Sequence, residues 1–333
     1  MKREEAARLL TRREMLSAAT RSAAAVGVGS LAPTLSSCSF PARKTWPPVV
    51  DTHMHVWGND PEKYPYPHPH EENFTYGDTH DATVEMLIDD MDRHGVTHCV
   101  LVQVVFHGWD NSYIADSVRK YPDRLVAHGL FDPLDPKVAD KLEYGVKEHG
   151  LVGMRLRIIE YLNGYRGGDG WLDSKEHDAL WKKAAELDAV FNLFIDATQL
   201  PRLSRMIDRH PDVKVCIDHF GAALHARRTE EDLQSLLAVA RHKNVWVKCA
   251  ELAGSGVEYP FHESYPKLKR VYETFGPDRL LWGTGYPGAC RAAYKRPTLA
   301  QELALIRTEI PFFNDEDRAK ILGLNAARIW KLV

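Results

Sequence analysis

The sequence predicts one (β/α)8 TIM barrel over residues 48–333, a single domain of the α/β class. Eight short β-rich runs alternate with longer amphipathic stretches. The β-rich runs are nearly continuous in apolar residues, as in parallel strands covered on both faces. No Gly-x-Gly-x-x-Gly opens a helix, so an open dinucleotide-binding sheet lacks support.

The strand-like runs cover residues 48–53, 98–105, 125–130, 151–156, 190–195, 213–218, 244–249 and 280–284. Between them, apolar residues recur at helical spacing over 83–94, 111–121, 176–188, 200–210, 230–241 and 265–275. A last helical pattern runs from Asp315 to about Trp330. The eighth strand ends in Trp282-Gly283-Thr284-Gly285-Tyr286-Pro287-Gly288, where glycines and a proline mark a turn. Two connections are long for loops after barrel strands. Residues 58–80 are rich in Pro, His and Tyr, and residues 164–171 are rich in Gly. Loops of that length at this end of a barrel are usually functional lids.

Composition is that of an ordinary globular protein, with 333 residues, 44% hydrophobic, 27% charged and a formal net charge of −3. No basic block suits a nucleic-acid surface, so a small-molecule ligand is expected instead. Self-association is an expectation, because such barrels often pair. Cys99, Cys216 and Cys249 lie in or beside apolar runs and read as small core residues. Neither they nor Cys290 show Cys-x-x-Cys spacing, so no zinc ribbon or disulfide framework is expected.

Residues 1–38 differ from the rest. Thr11-Arg12-Arg13-Glu14-Met15-Leu16 resembles a twin-arginine export signal, followed by a weakly apolar stretch too short to span a membrane. Leu35-Ser36-Ser37-Cys38 resembles a lipoprotein cleavage box with Cys38 as the lipidated residue. The expectation is export to the periplasm or lipid anchoring at the envelope, with residues 39–47 as a linker. That anchor is the one expected membrane contact.

The first strand carries the strongest chemical signal. In Val49-Val50-Asp51-Thr52-His53-Met54-His55, strand alternation puts Asp51, His53 and His55 on one face at the active end of the barrel. An i, i+2 imidazole pair suits a divalent cation or hydrogen bonds to a substrate. Arg155 and Arg157 share a face of the fourth strand, where a guanidinium fork can clamp a carboxylate. Gln103, at the second strand's end, is placed to hydrogen-bond a substrate. His107 follows in a loop and reads as a solvated or supporting residue.

Asp51-Thr52-His53-Met54-His55-Val56-Trp57 resembles the opening motif of the amidohydrolase-related metal-dependent hydrolases. The similar branch is that of lactonases such as L-fuconolactonase and 2-pyrone-4,6-dicarboxylate hydrolase. The resemblance continues through Gly153-Met154-Arg155-Leu156, Ile217-Asp218-His219-Phe220-Gly221, Val245-Trp246-Val247-Lys248 and Phe275 to Gly283. It implies a hydrolase acting on a lactone or similar cyclic ester or amide by water attack. It implies His219 as a third site residue, and His53, His55 and His219 as ligands of zinc or manganese unless the enzyme is metal-independent. Arg155 and Tyr286 become substrate contacts. Asp196 stands where some relatives carry a further histidine, which argues against a full binuclear cluster.

The family's eighth strand usually ends Gly-Ser/Thr-Asp-Tyr/Trp-Pro, with the aspartate as the base that activates water. Here that position is Gly285. Glu251, beyond the seventh strand, or Asp196 could then reach into the vacated space, or a histidine could act as the base. The alternatives are a catalytically inactive binding protein on the same fold and a metal-dependent decarboxylase.

Overall fold

Eight parallel strands follow one another around a barrel in chain order. The structure is a computed structural model and describes residues 47–252 and 256–332. The strands are β1 (Val50–Met54), β2 (His98–Val102), β3 (Leu125–Leu130), β4 (Gly153–Arg157), β5 (Val190–Phe194), β6 (Lys214–Ile217), β7 (Val245–Cys249) and β8 (Leu280–Trp282). The outer layer holds α1 (Val84–His94), α2 (Ser112–Lys120), α3 (Val138–His149), α4 (Asp178–Glu186), α5 (Leu200–Arg209), α6 (Glu230–Val239) and α7 (Tyr265–Phe275). The expected barrel is therefore observed. The expected twin-arginine segment and Cys38 lie outside the described residues, as does most of the expected linker.

Local chemistry explains the helix limits. The Thr83 side chain accepts the Met86 amide at the start of α1, and Gly95 ends the helix in the left-handed region at φ 72°. Val84, Leu87 and Met91, one helical turn apart, are buried against the barrel. Burying each such side chain stabilises by about 1.5–3 kcal/mol. In α6, Thr229 and Asp232 form a reciprocal capping box.

The pattern over 315–330 breaks into three pieces: a helix Asp315–Ala319, a π turn Lys320–Leu324 and a helix Asn325–Trp330. The wide turn lies where the chain passes the start of β1. A Cβ on Gly323 would come within 1.7 Å of the Pro48 carbonyl oxygen, so only glycine permits that approach. The final helix then closes one end of the barrel. Ala326, Ile329 and Trp330 pack with Val50, Val100, Val190, Cys216 and Leu281, and the Trp330 indole donates to His128 Nε2 at 2.9 Å. All four cysteines from Cys99 onward are buried and free.

At the opposite end the two long loops meet. The Tyr165 ring lies 4.7 Å from that of His70, and His70 Nε2 is 2.6 Å from a Glu160 oxygen. Phe74 stacks on Phe106 at 4.9 Å, and the cluster extends through Trp57 and Tyr66 to Tyr286 and Tyr294. This aromatic layer forms one wall above the strand ends.

The ring closes between β8 and β1 by backbone just past the strands. Gly285 N donates to His53 O at 2.7 Å, and His55 N donates to Gly285 O at 2.8 Å, giving a Met54–Gly285 bridge. Gly285 has φ 112°, a conformation that L side chains rarely adopt. The glycine in the eighth-strand motif thus has a backbone role in closing the barrel.

Candidate active site

His53 and His55 face one another at the mouth of the barrel, with their Nε2 atoms 3.2 Å apart. His55 Nδ1 donates to the Val102 carbonyl at 2.7 Å, since a carbonyl only accepts. His53 Nδ1 lies 3.2 Å from Asp218 Oδ1 and donates to that carboxylate. Both Nε2 atoms are then lone-pair donors aimed at the same small space. Two such lone pairs repel unless a proton or a cation lies between them.

Asp51 does not share this space, contrary to the sequence expectation. A register shift between Asp51 and Met54 breaks the strand alternation. Asp51 instead accepts the Thr284 amide at 3.1 Å and its hydroxyl at 2.5 Å, tying β1 to the β8 turn. Arg291 donates to the same hydroxyl at 2.5 Å.

His219 enters from the turn after β6. The expected strand to residue 218 stops at Ile217, and His219 to Ala222 all have positive φ. That turn brings Asp218 and His219, adjacent in sequence, together into the site. The His219 ring lies 4.4 Å from that of His53, and its Nδ1 has no hydrogen-bond partner among the described residues. Residues held in such backbone conformations often mark function. Glu251 is another, at φ 61°. One Glu251 oxygen lies 3.8 Å from His219 Nδ1, and the other pairs with Arg296 at 2.7 Å. A Cβ built on Gly285 would meet that second oxygen at 3.9 Å.

Beneath the histidines lies a buried polar group that sequence reasoning missed. Asp218 receives Asn192 Nδ2 at 2.6 Å on one oxygen and Lys248 Nζ at 3.3 Å on the other. Lys248 also donates to Asn192 Oδ1. A signal existed for Lys248, because a lysine within Val245-Trp246-Val247-Lys248-Cys249 must find a partner if the run is buried. Nothing in the sequence pointed to Asn192 or Arg296.

The other expected contacts divide. Tyr286 stands 5.5 Å from the His55 ring and stacks on Tyr294 at 4.3 Å. Arg155 is buried, donates to the Gln103 carbonyl at 2.9 Å and lies over the Phe194 ring at 5.5 Å. Arg157, over the same ring at 5.4 Å, pairs with Glu160. The Gln103 amide is committed to Asp110 O at 2.6 Å and Val104 N at 3.1 Å, so it positions its own loop. His107 is buried, with Nδ1 on the Pro65 carbonyl at 2.9 Å, and holds the long first loop; it is not solvated. Asp196 is bound to Arg228 and caps the turn at Ala197, so its carboxylate is already engaged. Arg166 binds Asp132 at 2.8 Å.

The electrostatics sort the groups into acids, bases and fixed charges. Burial, with Arg155 and His53 adding to it, holds His55 well below 6.5, and burial likewise holds His53 there despite Asp218. Both imidazoles are neutral at pH 7. Burial works against the Glu251 charge, but His219, Arg296 and His55 outweigh it and keep the carboxyl below its ordinary 4.5. For Asp218, Lys248 and His53 outweigh burial and hold it well below 3.8. Burial, with Glu251 adding to it, pushes Tyr286 up to about 12, so it remains a phenol and a donor. Burial and then Arg157 bring Arg155 to about 10, which leaves it charged at neutral pH.

These directions set a stability profile. The unfolded chain takes up protons at its histidines below about pH 6.5, which the folded pair refuses. The folded-state advantage is complete above that pH and declines as pH falls. Urea midpoints are expected to fall steadily from pH 7 to pH 5. A Val or Asn replacement of both His53 and His55 should flatten that slope.

The chain is 27% identical over 293 residues to a 4-sulfomuconolactone hydrolase of Hydrogenophaga intermedia, covering 87% of this chain and 91% of the relative. It is 27% identical over 250 residues to a 2-pyrone-4,6-dicarboxylate hydrolase of Comamonas testosteroni, covering 72% and 76%. The crystal structure of a probable 2-pyrone-4,6-dicarboxylic acid hydrolase from Acinetobacter baumannii superposes with a TM-score of 0.70 at 22% identity, over 85% of this chain and 99% of that one. The amidohydrolase family profile matches residues 50–332, the whole barrel. By that match the chain belongs to the amidohydrolase family.

Proposed function

We propose that this protein is a lactone hydrolase in which Glu251 takes the place of the missing strand-eight carboxylate. The observation that carries this is the position of Glu251. Its carboxylate stands 3.9 Å from the point where a Gly285 side chain would begin, next to His219 and ionised. The similarity to two hydrolases whose names denote anionic lactones supports the substrate class.

In the proposed reaction Glu251 accepts a proton from water as the water oxygen bonds to the lactone carbonyl carbon. The ring C–O bond then breaks, its electron pair goes to the ring oxygen, and that oxygen takes a proton. His219, whose Nδ1 has no hydrogen-bond partner among the described residues and lies 3.8 Å from Glu251, passes the proton onward. The Tyr286 phenol donates toward the carbonyl, and the charged Arg155 and Arg157 draw the anionic substituents. The aromatic loop cluster excludes bulk water.

The donor set also fits one divalent ion, zinc or manganese. Each Nδ1 is fixed by an acceptor, leaving two Nε2 lone pairs 3.2 Å apart, with His219 alongside. When bound, such an ion would supply Lewis-acid polarisation of the carbonyl.

A panel of anionic lactones tests the proposal, with His53→Ala as the control. Turnover above the control is expected. Stabilisation by a lactone without turnover would instead mark a binding protein on this fold. Gly285→Asp is expected to lower activity, although it restores the family residue. It places a side chain on backbone at φ 112°, costing about 1–3 kcal/mol, and sets a second carboxylate against Glu251. Thermal melting and turnover on the same preparation check both effects.

Export by the twin-arginine-like segment, with lipid attachment at Cys38, belongs to the same proposal. Cell fractionation of wild-type protein against Cys38→Ala tests it.

A further inference from the structure

Lys248 takes no part in the chemistry above, yet it lies fully buried directly beneath His53. Its ammonium is 3.3 Å from Asp218 Oδ1 and 3.5 Å from His53 Nδ1, and it donates to Asn192 Oδ1. The donor atoms of His53, Asp218 and His219 all lie within 4.8 Å of one another, a spacing that resembles a metal site. The chemistry of that trio does not fit an ion. Asp218 Oδ1 already serves Lys248 and His53, and Oδ2 serves Asn192 at 2.6 Å with Arg155 at 4.0 Å. An ion on Oδ1 would share that oxygen with an ammonium in a buried site, where like charges repel strongly.

We propose that Lys248 is a resident cation: its ammonium takes the charge position that a metal ion would occupy in this lower trio, and so confines any bound ion to the His53–His55 Nε2 pair. Asp218 then acts on the site only by orienting His53, and Lys248 is a positioning residue acting through Asp218.

This inference rests on the Nε2 pair as the cation site. It is tested without a lactone, so its failure and that of the hydrolase reading are separable. Zn2+ alone is titrated into purified full-length protein under chelator-buffered conditions, with bound metal measured by elemental analysis. The wild type is expected to take up no more than one equivalent. Lys248→Met is expected to gain one equivalent over wild type. Asp218→Asn is expected to keep the wild-type stoichiometry, with affinity lowered by about 10–100-fold, as for a group that supports a ligand. Two equivalents in the wild type, no gain in Lys248→Met, or loss of a wild-type equivalent in Asp218→Asn would each overturn the proposal. Should Lys248→Met not fold, Lys248→Gln gives the same reading, and the Asp218→Asn arm stands independently.

Discussion

Glu251→Gln is expected to lower kcat on a responsive lactone by about 10²–10⁴-fold, with KM changed little. The amide keeps the shape of the side chain and can still face Arg296, but it cannot take a proton from water. The loss is therefore confined to the chemical step. The pH profile sharpens the test. Glu251 is held below its ordinary 4.5 by His219, Arg296 and His55, against burial. Wild-type kcat/KM is therefore expected to stay level from neutral pH down to that range, then fall as the carboxylate protonates. In Glu251→Gln this acid limb should vanish. Undiminished turnover in Glu251→Gln would remove Glu251 as the base and leave the glycine in strand eight without a substitute.

The second large effect lies in the barrel interior. Lys248→Met alone is expected to cost about 3–5 kcal/mol of stability, and Asp218→Asn alone a similar amount, because each leaves an opposite charge buried without its partner. The double variant Lys248→Met/Asp218→Asn is expected to regain most of that loss. Chemical denaturation of the four proteins completes the cycle. Additive losses would show that the two charges are not coupled. The double variant should nevertheless lower activity, because His53 loses the carboxylate that orients its ring.

How much of this was legible in the sequence follows from which physical rule governs each residue. The barrel was legible because eight apolar runs must each bury two faces, and that pattern survives any detail of the loops. His53 and His55 were legible as an imidazole pair two residues apart at the end of the first apolar run, although β1 itself stops at Met54. Strand alternation alone would send Asp218 and His219, adjacent in sequence, to opposite faces. Alternation holds only while a strand continues, and β6 ends at Ile217 before a left-handed turn that brings both inward. Asp51 was misplaced by the register shift in β1, which also suspends alternation. Gly285 stands out in the motif, and of the two carboxylates the sequence offered near it, Glu251 lies 3.9 Å from the point where a side chain there would begin. Asp196 is instead engaged by Arg228, a contact 32 residues away in the chain that no local pattern encodes. Arg296 sits in a loop whose position follows from packing, which no local pattern encodes.

The closure through Gly285 ties catalysis to the mechanics of the ring. The two amide bonds of that seam, Gly285 N to His53 O and His55 N to Gly285 O, belong to the same short segment that carries the two imidazoles. A fluctuation that unzips the seam would therefore also disperse the donor pair. In this barrel the closing seam and the paired imidazoles share one short segment, so local opening at residues 53–55 and 285 would itself be a loss of the site.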